Sequence, residues 1–333
     1  MDRRTFIGSL TVGALAGART APAQPGPKVY RIGYLSPLGM TSRMGGPQPQ
    51  APPINALLRG LRELGYVYGQ HFVTEPRGAE GKPERFPRLA AELVRAQVDV
   101  IVAGGPVLTA LKQATSTIPI VMAGAPDPVG DGFAQSLGRP GGNFTGLSSQ
   151  SAETTGKRLE LLKELVPGSA PVAVFWDRRL NLRSWQAADA AARERGWNLL
   201  SLEIRDSSDI EGAFKAATGA RAGALLVFAS GLFEQAEHAR QIAALAAKSR
   251  LPAMYTYRGF IDAGGLMWHG ADLMEINRRA AVFVDKILKG AKPANLPIEQ
   301  PKKFELVINL KAAKSIGLTI PPSVLLVADE VIQ

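Results

Sequence analysis

Asp127 stands between Pro126 and Pro128, and neither proline leaves it a place inside a helix. A carboxylate held this rigidly is suited to pairing with a ligand's ammonium group. As a plain turn residue it would bond neighbouring backbone N–H groups instead. Gly104-Gly105-Pro106 follows a β-branched run, where a helix start offers free N–H groups to an anion such as a carboxylate. A tight strand-to-helix turn accounts for the same residues. The third glycine of a dinucleotide loop is missing, and Pro106 has no N–H to give. Trp176, Tyr255 and Tyr257 fall at or after strand ends, where a ring stacks on a ligand or fills a core. Hydroxyls complete the set: Ser36, Ser148, Ser149 and Ser230.

Nucleophilic and metal chemistry find little support. His71, His238 and His269 lie far apart in the chain, with no H-x-x-x-H pair and no G-x-S-x-G elbow. The sequence has no cysteine, which removes thiol nucleophiles and thiolate metal sites. The expectation is a protein that is not an enzyme and holds no cofactor or metal.

The elements that must position these residues are legible as a rhythm. Short β-branched runs alternate with amphipathic stretches from Lys28 onward, the pattern of parallel sheets covered on both faces. Strands are expected at 29–35, 71–75, 98–103 and 118–122, with helices at 53–64, 83–96 and 107–115 between them. The segment 138–146, GRPGGNFTG, breaks the rhythm and reads as a boundary loop. A second run follows: helix 156–165, strand 172–176, helix 183–195, strand 198–204, helix 209–218, strand 224–228, helix 234–248 and strand 252–255. An extended piece at 265–269 precedes a helix capped by Asp272, with Glu275 three residues on, and stopped by Gly290. A Pro-rich link at 292–301 and a final strand at 304–310 close the chain. The fold class is therefore α/β, with two doubly wound parallel-sheet lobes and a ligand cleft between them. Sites in such sheets lie beyond the carboxyl ends of the strands, where the residues named above fall. They suit a small polar solute with an apolar part.

The start of the chain adds a compartment. Arg3-Arg4, an uncharged run to Ala18 and Ala21-Pro22-Ala23 form a twin-arginine secretory signal, with cleavage expected near Ala23 and a mature periplasmic protein. The formal net charge is +10, but basic residues are dispersed beside acidic ones, as in Arg62-Glu63 and Lys157-Arg158-Leu159-Glu160. A mixed solvated surface is expected, with no nucleic-acid partner. A chain of 333 residues with 46% hydrophobic composition supplies its own core without disulfides.

Many blocks of the chain resemble one family. They include RIGYLSP (31–37), LRGLRELGYVYGQ (58–70), VDVIVAGG (98–105), DPVGDGFAQSLGRPGGNFTGLSS (127–149), GKRLELLKELVPG (156–168), LPAMYTYRGFIDAGGLMWHG (251–270) and ADEVI (328–332). In these the chain resembles the bacterial ABC transporter substrate-binding proteins of the tryptophan/tyrosine-uptake type. The resemblance implies a type I periplasmic binding fold with three crossings, lobe one combining 28–147 with 270–298 and lobe two 148–269 with 299–333. It implies a monomeric receptor that hands a small-molecule solute, amino-acid-like or aromatic and carboxylated, to an inner-membrane ABC permease. A sensor subunit of the same fold is the alternative. Carried over by position, Ser36, Pro106, Asp127, Ser148, Ser149, Ser230 and Tyr257 line the cleft, with Trp176 beside them. The aromatic-amino-acid binders tend to carry Asn and Ser after the strand that here ends Phe175-Trp176-Asp177-Arg178-Arg179, so this chain departs from them there.

Overall fold

The computed structural model describes residues 28–150, 154–166, 168–230, 232–233 and 235–333. The expected export signal at 1–23 lies outside the described residues.

The first unit runs β1 (Tyr30–Ser36), α1 (Pro52–Glu63), β2 (Phe72–Gly78), α2 (Phe86–Arg95), β3 (Val100–Ala103), α3 (Val107–Ala114), β4 (Ile120–Ala125) and β5 (Phe144–Ser148). Its strands form a parallel sheet in the order β2-β1-β3-β4-β5. β3, β4 and β5 are buried along their whole length, as strands covered on both faces must be. The apolar run of β4 continues to Ala125, three residues past the expected end, so its exit lies directly at Pro126-Asp127.

The expected boundary loop is corrected in its second half, because residues 144–148 form the edge strand β5. Gly146 has φ +124°, and a Cβ there would lie 2.4 Å from the Met122 carbonyl oxygen. The glycine that reads as a loop signal is what lets β5 lie close against β4.

The second unit runs α4 (Thr155–Leu165), β6 (Val172–Trp176), α5 (Arg178–Glu194), β7 (Leu199–Glu203), α6 (Asp209–Gly219), β8 (Ala224–Val227), α7 (Ala236–Lys248), β9 (Ala253–Tyr255), α8 (Gly259–Asp262) and β10 (Met267–Gly270). Then α9 (Leu273–Leu288) returns to the first sheet, and β11 (Glu305–Asn309), α10 (Leu310–Ser315), α11 (Pro322–Leu326) and β12 (Glu330–Ile332) finish the second. The second sheet has seven strands, β12-β11-β10-β9-β8-β6-β7, all parallel except the β10–β11 pair. The final strand is thus β12, and β11 is followed by a helix whose start is capped by the Asn309 side chain.

α9 begins as the capping pattern requires: the Asp272 carboxylate accepts from the N–H groups of Met274 at 2.7 Å and Glu275 at 3.2 Å. Its apolar stripe of Ile276, Ala280, Phe283, Val284 and Ile287 packs with Ile54, Leu57, Leu58 and Leu61 of α1 over one face of the first sheet. Gly60 permits that contact, since a Cβ there would sit 2.2 Å from the Arg278 carbonyl oxygen. α2 and α3 cover the opposite face. In the second unit, α4, α10 and α11 pack on one side of the sheet and α6, α7 and α8 on the other.

The chain passes between the two units after β5, after β10 and between α9 and β11. The first and third passages are joined by backbone bonds, with Ser148 N–H donating to the Glu299 carbonyl and Glu299 N–H to that of Gly146, each at 2.9 Å.

Candidate functional site

The crossings run beside β5 and β10–β11, so the opposite edges, β2 and β7, form the open side of the molecule. There a cavity of about 180 Å³ lies between Gly81–Glu84, which follow β2, and Asp177–Leu180 and Arg205–Ser207, which follow β6 and β7. The carboxyl ends of both sheets face one another across this gap, the position at which open α/β sheets hold ligands.

On the first unit, Ser36 ends β1. Its hydroxyl accepts from the N–H groups of Gly39 at 2.8 Å and Leu38 at 3.3 Å, shaping the turn and keeping its own hydrogen to donate. Pro106 heads α3 with φ −68° and is half-buried. Asp127 is also half-buried, and its Oδ1 accepts from the Gly130 N–H at 2.8 Å. Its carboxylate occupies the space a side chain at 130 would need, with Oδ2 1.9 Å from where a Cβ would stand. The turn role foreseen for this residue is therefore present. Ser149 is half-buried beside it, with its N–H on the Ala125 carbonyl at 2.8 Å. Ser148 is 1% exposed, and its hydroxyl takes the Gln150 N–H at 3.0 Å, so it shapes the first crossing.

On the second unit the outcome is divided. Tyr257 is half-buried in the loop after β9, its ring edge-on to Phe260. Ser230 is 3% exposed and accepts from the Phe233 N–H at 3.3 Å. Trp176 is a correction: it is 3% exposed, stacks on Trp185 with ring centres 5.3 Å apart, and donates its indole N–H to Ser201 at 2.9 Å. Trp176 is still within β6, and its ring is taken up by α5 on one face of the sheet, whereas the gap lies beyond the strand end. Tyr255 is likewise core, stacked on Phe260 at 4.3 Å.

What stands at the end of β6 instead is the first turn of α5, which begins at Arg178 rather than at 183. Asp177 is its N-cap, accepting from the Arg179 N–H at 2.9 Å, and both its oxygens meet the Arg179 guanidinium, at 3.0 and 2.6 Å. That bidentate pair raises the Arg179 pKa. Asn181 accepts from the Asp177 N–H at 3.1 Å and donates to the Ala229 carbonyl at 2.8 Å, wiring the helix start to the exit of β8. One turn on, Arg183 reaches across the gap to the Gly130 carbonyl and the Asp131 carboxylate. Burial raises the Asp131 pKa, and Arg183 opposes that rise. Asp177 before a basic run is a readable cap signal, but the first turn lacks apolar periodicity and reads as loop.

The cavity itself is lined by charged and polar groups of Lys82, Glu84, Asp177, Arg179, Arg205, Asp206 and Ser207, and none of Ser36, Pro106, Asp127, Ser149 and Tyr257 is among its lining residues. His71 lies in the turn before β2, His238 on α7 and His269 on β10, and among the described residues no group of three His, Asp or Glu side chains is placed to hold a metal ion. Such a surface can bind and orient a small polar molecule between two walls.

A two-walled cleft of this kind defines a solute-binding protein, and the comparisons agree. Residues 53–332 match the family model described as ABC transporter substrate binding protein. The chain belongs to that family. It is 24% identical over 265 residues to a tyrosine-binding protein of Clostridioides difficile, covering 78% of this chain and 75% of that one. A conserved domain protein from Vibrio cholerae superposes with a TM-score of 0.81 at 26% identity, over 91% of this chain and all of that chain. An ABC domain from Streptococcus pneumonia in complex with L-Trp superposes with a TM-score of 0.80 at 24% identity, over 92% and 100%. The two-lobed α/β architecture is that of type I periplasmic binding proteins. Members of this family are substrate-binding components of transport systems that work with a membrane permease, in the periplasm or outside the cell. Among the described residues no helix is long and apolar enough to cross a membrane.

Proposed function

We propose that the protein is a periplasmic receptor that takes up an aromatic or related amino-acid-like carboxylated solute between its lobes and presents it to an ABC permease. The observation that carries the reading is the placement of Ser36, Asp127, Ser149 and Tyr257 at strand ends of two sheets that face one another. Relatives that bind tyrosine and L-Trp supply the solute class. In this reading 28–147 with 270–298 move as one lobe and 148–269 with 299–333 as the other. Solute contacts to both lobes favour the closed arrangement. Asp127 meets the solute's ammonium, the turn at Gly104-Gly105-Pro106 its carboxylate, and Tyr257 its apolar part. Ser148 and Ser230 shape the loops around it. The protein works as a monomer after removal of 1–23, with no nucleic-acid partner.

Native mass spectrometry of protein purified from the periplasm, followed by calorimetry with L-tyrosine and L-tryptophan, tests this. A co-purified amino-acid-sized mass and saturable heat are expected. A protein that carries no such mass and gives no heat with either compound overturns the solute class.

A further inference from the structure

The first turns of α5 belong to the second unit, yet two of their residues engage the first. Leu180 packs against the apolar cluster formed by α2, α3, β3 and β4. Arg183, three residues on and so on the same helix face, bonds the Gly130 carbonyl and pairs with Asp131. Both partners lie in the turn that Asp127 shapes after β4. The α5 start is itself anchored, through Asn181 to Ala229 and through the Asp177 cap, so a pull on Arg183 is a pull on the second lobe.

We propose that Leu180 and Arg183 form a clasp on the 127–131 turn that draws the two lobes together before solute arrives. The proposal rests on the two-lobed receptor reading, and it adds a regulation of the same cleft. A fraction of the empty protein is closed by its own side chains, and solute affinity is set partly by that fraction. Asp127 and Gly130 lie on the turn that the clasp holds, which makes the clasp a positioning device for the ammonium partner as well.

The chain has no cysteine, so a label pair can be introduced at the exposed positions Gln113 and Lys215. Interlobe distances are then read by pulsed electron resonance on the solute-free, full-length mature protein. Arg183→Glu and Asp131→Arg are each expected to move the distribution to longer separations. The double variant, with the charges exchanged, is expected to bring it back toward wild type. Arg183 is exposed and Asp131 half-buried, and unchanged melting temperatures would show that the shift is not unfolding. Leu180→Ser is expected to lengthen the distances without charge involvement. For solute, Arg183→Glu is expected to weaken binding about threefold or more, the order for loss of a partly exposed ion pair. Single reversals that keep the wild-type distance distribution overturn the clasp, whatever happens to affinity. Distances that respond as stated while calorimetry gives no heat with L-tyrosine or L-tryptophan uphold the clasp and remove the solute class.

Discussion

The Nε of Arg158 donates to the backbone carbonyl of His269 at 2.8 Å. Arg158 lies in α4, just after the first passage between the lobes, and His269 in β10, just before the second. The bond therefore joins two segments of the second unit that flank the first and second passages. Arg158 is 2% exposed, and burial pulls its pKa down to about 9. The His269 ring stacks on Phe304, in the third passage, with centroids 6.2 Å apart. One arginine, one histidine and one phenylalanine thus tie all three passages together.

Stability should fall in acid through His269. Burial first, then Arg158 and Lys157, lower its pKa from 6.5 to about 4, with Asp329 acting in the opposite sense. Between those values the unfolded chain takes a proton that the folded protein refuses. The contribution is full above about pH 6.5, is lost as pH drops toward 4, and levels off below, at up to about 1.4 kcal/mol per pH unit. Melting temperatures at pH 7 and pH 4.5 should differ less for His269→Gln than for wild type. Equal differences would remove His269 as the source.

Asp127→Asn keeps the shape and an acceptor for the Gly130 N–H, and removes the charge. Calorimetry should show solute affinity weakened roughly 30-fold or more, the low end of what loss of one partner in a buried charged hydrogen bond costs. The melting temperature without solute should stay near wild type. Normal binding would make Asp127 a turn residue alone.

Trp176→Ala should act on stability and leave the cleft alone. Removing a buried tryptophan costs roughly 3–5 kcal/mol, and the indole also satisfies Ser201. Thermal unfolding should report a large loss, while affinity measured on the folded fraction should be unchanged. An affinity change larger than the stability change would return Trp176 to the solute site.

Gly60→Ala should loosen the α1–α9 contact. The added methyl meets the backbone of Arg278, which cannot swing aside as a side chain end would. Overpacking of this kind costs about 1–3 kcal/mol, measurable as a lower denaturation midpoint. An unchanged midpoint would show that the helices separate at no cost.

The sequence by itself determined the alternation of strands and helices, the two runs of it, the Asp272 cap and the Gly290 stop of α9. These are local matters, fixed by periodicity and by backbone groups a few residues apart. It also determined that chemistry would gather at strand ends, because parallel sheets leave their loops there. Tertiary structure alone decided which strand-end side chains face the gap. Trp176 and Asp177 are neighbours, yet one stacks on Trp185 inside the second lobe and the other caps a helix at the gap, since the strand ends at Trp176 and Asp177 already belongs to the turn into α5. Residues 144–148 became a strand because β4 was there to pair with, through a glycine that in isolation signals a loop. The reach of Arg183 to Asp131 spans 52 positions of chain, and no local pattern encodes it. It exists because two sheets, each legible by itself, were brought face to face by passages whose own geometry only the folded chain defines.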